Sequence, residues 1–436
     1  MNLLVTNTRN AQAYAIIRAL RPYAQKIVAT MEGNNRFAAR LSHAANSRLV
    51  DKRYYTPSPA EDWRAGRIQR ENTEREEAYI QAVLKICEQE KIDTIFPSFD
   101  PHVYVFSKNK ERFDSMGILI PVPDYEVVIT PLDKYRTIRA AQEVGFPCPK
   151  TYLPESNDDL RRVADEVGFP LVIKPRFSAG GRGTDVAKDL PELLEKTQLT
   201  RKNQGTPMIQ EYIAAKREER ANFNLVIDKN GELKAAFSVS VRRGSLRLFS
   251  ATATVAESCD PHPYVAHATR LLRNLGWWGG ATVQSRIDSR DGMPKLMEIN
   301  PRLGIGLWQR TELGINEPWM CLKIAKGEEV EVVKNYPVGV LLIQPVEDLV
   351  GLAFKLLDLL IYKFRIGFLA KTPIAPVNPP MTVNELIQSY KQTYLSGKKK
   401  VFNPYFKYFF QDPLVSIIWW FQFFTLVLRG AKQLGK

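Results

Sequence analysis

At 436 residues, with 44% hydrophobic and 25% charged residues, the chain is long enough for about two or three domains of ordinary globular composition. That excludes wholesale disorder, a collagen-like repeat and a disulfide scaffold. The net charge of +14 is uneven, because residues 391–436 hold eight Lys/Arg against Asp412 alone and supply +7 of it. A basic patch for nucleic acid is therefore not expected in the body of the chain.

Cys87, Cys148, Cys259 and Cys321 lie far apart with no C-x-x-C pair, which argues against a zinc site or redox pair and fits a reducing compartment. His43, His102, His262 and His267 form no H-E-x-x-H helix. The opening Met1-Asn2-Leu3-Leu4-Val5-Thr6 has no basic segment before an apolar stretch. No secretory signal is expected, and the predicted location is cytoplasmic.

Residues 2–6 read as a short buried strand, 11–21 as a helix and 27–30 as a second strand, the β-α-β opening of a parallel sheet. A strand at 93–97 ends at Ser98-Phe99-Asp100. Ligands collect at such carboxyl ends, so residues 7–10 and Asp100 are placed either at a cleft or in a plain polar turn. Residues 6–10 lack the G-x-G-x-x-G spacing, so no dinucleotide is expected.

A helix at 133–144 ends at Gly145, and Pro147 and Pro149 then open a β-rich region, which sets a boundary near 125–130. Strands are predicted at 171–174, 207–213, 221–227, 233–241, 246–254, 281–288 and 294–299, and helices at 157–167, 190–199 and 262–275. Asn230-Gly231 is a hairpin turn signal.

The texture changes again near residue 345. Residues 349–369 carry apolar side chains at helical spacing, and Pro373, Pro376, Pro379 and Pro380 follow. Positions 402–424 hold eleven aromatics, and 414–428 is an almost unbroken apolar run of 15. A membrane crossing needs about 20 apolar residues, so this run is short for one. Trp419 and Trp420, with Lys407, Arg429 and Lys432 around them, predict instead a helix lying on an anionic leaflet. Packing against the protein or against a second copy in a homodimer is the alternative. The expected domains are 1–125, 126–340 and 341–436.

Two constellations carry chemistry. Phe169-Pro170-Leu171-Val172-Ile173-Lys174-Pro175 is a buried strand delivering a lysine, followed at once by Ser178-Ala179-Gly180-Gly181-Arg182-Gly183-Thr184. Glycines so close together let the backbone approach an oxyanion, which is phosphate-binding chemistry, although a flexible turn has the same composition. The second is Asp288-Ser289-Arg290-Asp291-Gly292, a turn between two strands. A hairpin centred on Asp291 puts Gln284 across from Glu298, and strand alternation sends Asn300 to the same face, with Arg302 behind. Hard oxygen donors of this kind suit Mg²⁺ shared with substrate phosphates.

Lys134 in Leu132-Asp133-Lys134, Lys174 with its glycine loop, Met208-Ile209-Gln210-Glu211-Tyr212-Ile213, Gln284, and Glu298-Ile299-Asn300-Pro301-Arg302 occur in the order and spacing of the ATP-grasp superfamily. The chain resembles that superfamily over roughly residues 1–330. The resemblance implies an α/β chain, α+β in its ATP-binding part, with a Rossmann-like pre-ATP-grasp domain, an ATP-grasp domain of two subdomains and a C-terminal helical, aromatic-rich extension.

It also implies roles. Lys134 and Lys174 would hold the ATP phosphates, Gly180, Gly181 and Gly183 would close over them, and the strand Gln210, Glu211, Tyr212 and Ile213 would line the nucleotide. Glu218 or Glu219 would bind ribose. Gln284, Glu298 and Asn300 would ligate Mg²⁺ or Mn²⁺, and Arg302, with Lys174, would act in catalysis. The neutral Gln284 stands where many members carry an acid, as in the carbamoyl-phosphate-synthetase-like branch. The ends of the chain look most like the predicted ATP-dependent carboligase branch.

The superfamily mostly activates a carboxylate as an acyl phosphate that an amine attacks, which needs alignment and charge neutralisation rather than a protein nucleophile. The expected partners are thus a small carboxylate and an amine, no nucleic acid, and a peripheral contact with the inner face of a membrane through residues 400–436. Arg242, Arg243 and Arg247 are weak candidates for holding the substrate carboxylate, with solvated strand faces as the alternative, and Trp308 and Arg310, just beyond the Asn-Pro-Arg turn, are further candidates for the substrate side by position alone. A non-catalytic ATP-binding regulator is the rival reading.

Overall fold

The computed structural model describes residues 1–33, 39–59, 70–178, 183–214, 220–244, 253–364 and 382–434. The chain divides into two compact units, one of residues 1–238 and 261–336, the other of residues 239–260 and 337–436.

The larger unit opens with β1 (Asn2–Val5), α1 (Ala11–Leu20), β2 (Lys26–Glu32), β3 (Lys52–Thr56), α2 (Glu74–Glu90), β4 (Thr94–Phe96) and α3 (Asp100–Lys108). The strands pair in parallel in the order β3-β2-β1-β4, so that chain crossovers leave the strands' carboxyl ends along one edge. β1 and β2 read as apolar runs because both faces are covered: Leu3, Leu4, Val5, Ile27, Val28 and Ala29 are fully buried. The sequence reading misses β3, an edge strand whose residues Lys52, Arg53 and Tyr55 are exposed and show no apolar pattern. α2 starts on a capping box, with Thr73 Oγ1 accepting from the Glu76 amide at 3.3 Å and the Glu76 carboxylate accepting from the Thr73 amide at 3.0 Å.

After α4 (Tyr125–Leu132) and α5 (Lys134–Glu143) come β5 (Thr151–Tyr152), α6 (Asn157–Val167), β6 (Leu171–Pro175), β7 (Asp185–Ala187), α7 (Leu190–Gln204) and β8 (Pro207–Glu211). These four strands form an antiparallel sheet in the order β5-β8-β6-β7. Leu171, Ile173, Ala187 and Ile209 pack with Leu160, Val163, Ala164 and Leu193 of the two helices. Strand alternation turns Val172, Lys174, Met208 and Gln210 to the opposite face.

The chain continues through β9 (Arg220–Ile227), β10 (Leu233–Gly244), β11 (Ala253–Cys259), α8 (Val265–Asn274), β12 (Gly279–Ile287), β13 (Pro294–Asn300), α9 (Leu307–Glu312) and α10 (Glu317–Lys326). In the larger unit β13, β12, β9 and β10 are antiparallel neighbours in that order. One buried cluster takes in Leu4 and Val28 of the first sheet, Val128 and Ile138 of the helices that follow, and Phe223, Val283 and Ile299 of the later strands. The segments on either side of residues 125–130 therefore share a core.

The smaller unit contains β11, β14 (Leu341–Ile343), α11 (Pro345–Phe364), α12 (Val383–Tyr394), β15 (Lys400–Phe402), α13 (Pro404–Lys407) and α14 (Pro413–Leu434). β14 pairs antiparallel with β11 and parallel with β15, and Val255, Leu341 and Ile343 form its core. The helix expected at 349–369 starts earlier, at Pro345, whose ring suits a first helical position. Most of the strand expected at 246–254, the end of that helix beyond residue 364 and the proline-rich passage lie outside the described residues. Among the described residues no helix is long and apolar enough to cross a membrane.

Candidate functional site

The hairpin of β12 and β13 is closed by the Asp288 amide donating to Met293 O (2.9 Å) and the Gly292 amide to Asp288 O (2.8 Å). Gln284 pairs with Glu298 and Thr282 with Asn300, as a hairpin centred on Asp291 requires. Nearer the turn the count slips by one, so that Ser285 faces Leu296 rather than Met297. The extra residue is a β-bulge at Met297, which leaves Met297 and Glu298 both partly exposed between buried Leu296 and Ile299.

The bulge matters because Lys174 reaches it. Lys174 Nζ donates to Gln210 Oε1 at 2.5 Å and lies 3.7 Å from Met297 Sδ. Gln210 is itself held, its Nε2 donating to Thr151 Oγ1 at 2.9 Å. Burial pushes the Lys174 ammonium down to about 8. The Glu298 carboxylate opposes that shift, and the positive charges of Lys134 and Arg286 add to it.

Lys134, the first residue of α5, supplies the second ammonium. Its Nζ is 3.6 Å from Glu298 Oε2 and donates to Ser178 O (2.5 Å) and Ser178 Oγ (3.2 Å), where the glycine loop begins. The buried Asp133 caps α5 by accepting from the Tyr135 and Arg136 amides (3.0 and 3.4 Å) and pairs with the Arg176 guanidinium. The end of β6, the start of α5 and the hairpin thus meet around one carboxylate.

The rest of the expected nucleotide set is divided. Gly183 has φ +72°, in the left-handed region, and a Cβ there would collide with the Gln204 side chain. Gly180, Gly181, Glu218 and Glu219 lie outside the described residues. Glu211 exchanges hydrogen bonds with the Lys150 backbone (2.9 and 3.1 Å), and Arg290 Nη1 is 2.6 Å from Glu211 Oε1 while its guanidinium also holds Asp288. Ile213 is buried and Tyr212 exposed.

Arg302 is nearly sealed from solvent and faces Asp100: Nε is 2.9 Å from Oδ1, and Nη2 is 3.3 Å from Oδ2 and 3.1 Å from Asn300 Oδ1. Asp100 is buried at the start of α3, just beyond the carboxyl end of β4. Asp100→Asn keeps the size of the side chain and removes its charge. The expected result is a loss of about 1–3 kcal/mol of stability, because the nearly sealed Arg302 guanidinium loses the charge that it faces. Thermal melting of the two forms measures it.

Among the described residues no three His, Cys, Asp or Glu side chains cluster as a metal cage. Glu298, with the amides of Gln284 and Asn300, is an oxygen donor set of one negative charge, which suits Mg²⁺ when phosphate oxygens complete the shell. Asn300 Nδ2 is buried without a hydrogen-bond partner, an orphaned donor of the kind that an acceptor oxygen from a ligand would satisfy.

The arginines expected on the substrate side are otherwise engaged. Arg243, in the smaller unit, forks onto Asp348 (2.8 and 2.7 Å), donates to Ser389 and Thr393 and lies 4.1 Å over the Tyr390 ring. Arg310 is buried against Glu317 at 2.7 Å, and burial pushes the Glu317 carboxyl up. A guanidinium so occupied or sealed presents no solvent-facing fork to a small acid. Arg242 pairs with Glu257 at 3.1 Å, beside Lys398 at 2.6 Å, and Arg247 lies outside the described residues. Sequence reasoning missed the Asp100–Arg302 and Gln210–Lys174 pairs, which join residues far apart in the chain. The Asp133 cap, directly before the helix of Lys134, was a signal that could have been read.

Residues 133–332 match the family described as carbamoyl-phosphate synthase L chain, ATP binding domain, and residues 72–121 match the PylC-like N-terminal domain. The biotin carboxylase of Campylobacter jejuni, solved as a β,γ-ATP complex, superposes with a TM-score of 0.61 at 16% identity, over 78% of this chain and 74% of that one. The chain carries an ATP-grasp domain over residues 133–332. Its fold is an ATP-grasp fold behind a Rossmann-like pre-ATP-grasp sheet, with a C-terminal helical extension.

A second structural neighbour of the chain is the biotin carboxylase domain dimer of Hydrogenobacter thermophilus 2-oxoglutarate carboxylase, solved with MgADP, ADP and bicarbonate. Its TM-score is 0.57 at 17% identity, over 76% of this chain and 70% of that one. By sequence, the carbamoyl phosphate synthase large chain, N-terminal section, of Methanopyrus kandleri is 24% identical over 278 residues, 59% of this chain and 47% of the relative. The Clostridium acetobutylicum large chain is 23% identical over 269 residues, 59% of this chain and 25% of the relative. The chain thus spans half or less of the length of these curated relatives.

Proposed function

We propose that this ATP-grasp chain is a Mg²⁺-dependent ligase that activates a carboxylate as an acyl phosphate and joins it to an amine, releasing ADP and phosphate. The observation that carries this reading is the convergence of Lys134 and Lys174 on Glu298 at the bulged hairpin. Two ammoniums match the negative charge of a triphosphate, and one carboxylate with two amides matches a cation shared with it.

In this reading Lys134, tied to Ser178, holds the start of the glycine loop against the phosphates. Lys174, Gly180, Gly181 and Gly183 would contact them as well, and Gln210, Glu211, Tyr212 and Ile213 would line the nucleotide, with Glu218 or Glu219 at the ribose. Mg²⁺ held by Glu298, Gln284 and Asn300 would supply charge neutralisation on the phosphate oxygens. A carboxylate oxygen of the substrate attacks the γ-phosphorus while the bond to the β-γ bridging oxygen breaks and ADP leaves. Arg302, aimed by Asp100, balances charge on the transferred group. The amine then attacks the acyl carbon, forms the C–N bond, loses a proton and expels phosphate.

The test is a screen of acid and amine pairs for ADP formation in the presence of Mg-ATP, with mass spectrometry of the product. The expected result is ADP release that requires both an acid and an amine, with a product lighter than their sum by one water. Tight Mg-ATP binding without turnover for any pair would support the rival regulator instead.

A further inference from the structure

The smaller unit carries an apolar surface that the proposed ligase chemistry does not use. One side of α14 is packed: Val415 and Ser416 are buried, and Ser416 Oγ donates to Tyr405 O at 2.6 Å. On the same helix Trp419 stacks on Tyr405 with ring centroids 4.5 Å apart, and its Nε1 donates to Glu347 Oε1 at 2.9 Å. Another side holds Leu414, Ile417, Phe421 and Phe424, spaced as one stripe along a helix and 44% to 57% exposed. Phe410, just before the helix, is 91% exposed. α11 adds Leu349, Leu356 and Leu360, also exposed at helical spacing.

A helix that is apolar on its packed side and again on its open side is stable in water only when something covers the second side. We infer that the Leu414–Ile417–Phe421–Phe424 stripe of α14, with Phe410, seats the protein on an anionic lipid surface, the helix lying in the plane of the interface. The charge of the segment selects this occupant. Residues 391–436 hold eight Lys/Arg against Asp412 alone, so two copies meeting here would bring like charges together, whereas anionic headgroups neutralise them. The in-plane orientation follows from the packing, because Val415, Ser416 and Trp419 hold one side of the helix against the protein and leave only the opposite stripe to meet lipid. The inference is independent of the proposed reaction, because α14 belongs to the smaller unit and the nucleotide residues to the larger.

The test is sedimentation of the full chain with vesicles of phosphatidylcholine alone and with about one-third phosphatidylglycerol. The wild type is expected to pellet with the anionic vesicles and to be released as salt rises. The variant Ile417→Glu/Phe421→Glu should lose about tenfold or more in partitioning, and Phe410→Glu, outside the helix, should weaken it in the same direction. Unchanged Mg-ATP binding and melting temperature would show that these variants fold. Failure of the wild type to pellet with anionic vesicles, or equal pelleting of folded variants, overturns the inference. So does a wild-type dimer in light scattering that the double variant turns into monomers without either form binding vesicles, which would assign the stripe to a second copy.

Discussion

Glu298→Ala is expected to lower ATP turnover on the order of 10²–10³-fold or more while leaving the fold intact. Glu298 is partly exposed on the hairpin face, and its backbone pairing with Gln284 does not depend on the side chain. Its carboxylate is what Lys134 approaches at 3.6 Å and what opposes the downward shift of Lys174. Without it the two ammoniums face each other with less compensation, and the only anionic donor proposed for the metal is gone. ADP release against Mg²⁺ concentration, with thermal melting as a control, is the measurement. Near-normal turnover at saturating Mg²⁺ would remove Glu298 from the metal assignment.

The second large effect separates function from stability. Lys174 has its pKa pushed from the ordinary 10.5 to about 8, chiefly by burial. Between those two values the unfolded chain binds more protons than the folded one, so stability rises as pH goes from about 8 toward 10.5. Below 8 the full cost of the buried charge is present. Lys174→Met removes that charge with a side chain of similar length. The expected result is a gain of about 1–3 kcal/mol at neutral pH, together with a loss of Mg-ATP affinity of about tenfold or more from the missing phosphate contact. In the wild type, ATP affinity should weaken as pH rises through about 8, where free Lys174 loses its proton. Calorimetric titration with Mg-ATP and melting curves across this pH range test both signs. A destabilised variant that binds ATP normally would mean that Lys174 has a packing role alone.

The buried elements and the hairpin were legible because each rests on local periodicity. The apolar runs of β1 and β2, the alternation along β6 and the turn at Asp291 need only neighbours in sequence, and so the pairing of Gln284 with Glu298 could be counted out in advance. The edge strand β3 was not legible, because exposed lysine and arginine carry no burial signal. Nor was the bulge at Met297: a single extra residue changes the register without changing the composition.

By itself, then, the order of residues determined the two lysines, the glycine loop, the acid–amide hairpin and the amphipathic, basic tail. Only the folded chain decided which charge each of them meets. Asp100 and Arg302, 202 positions apart, are brought together by the shared core, and Lys174 meets Met297 across 123 positions although its strand packs in a separate cluster. The same folding spends Arg243 on Asp348 and seals Arg310 against Glu317, because a guanidinium taken out of water needs an acid partner wherever packing puts it. Strand and helix periods are set over a few residues, whereas the partner of a buried charge is set by packing and can lie a hundred or more positions away, as for Arg243 and Asp348 or Arg302 and Asp100, and no local pattern encodes those meetings.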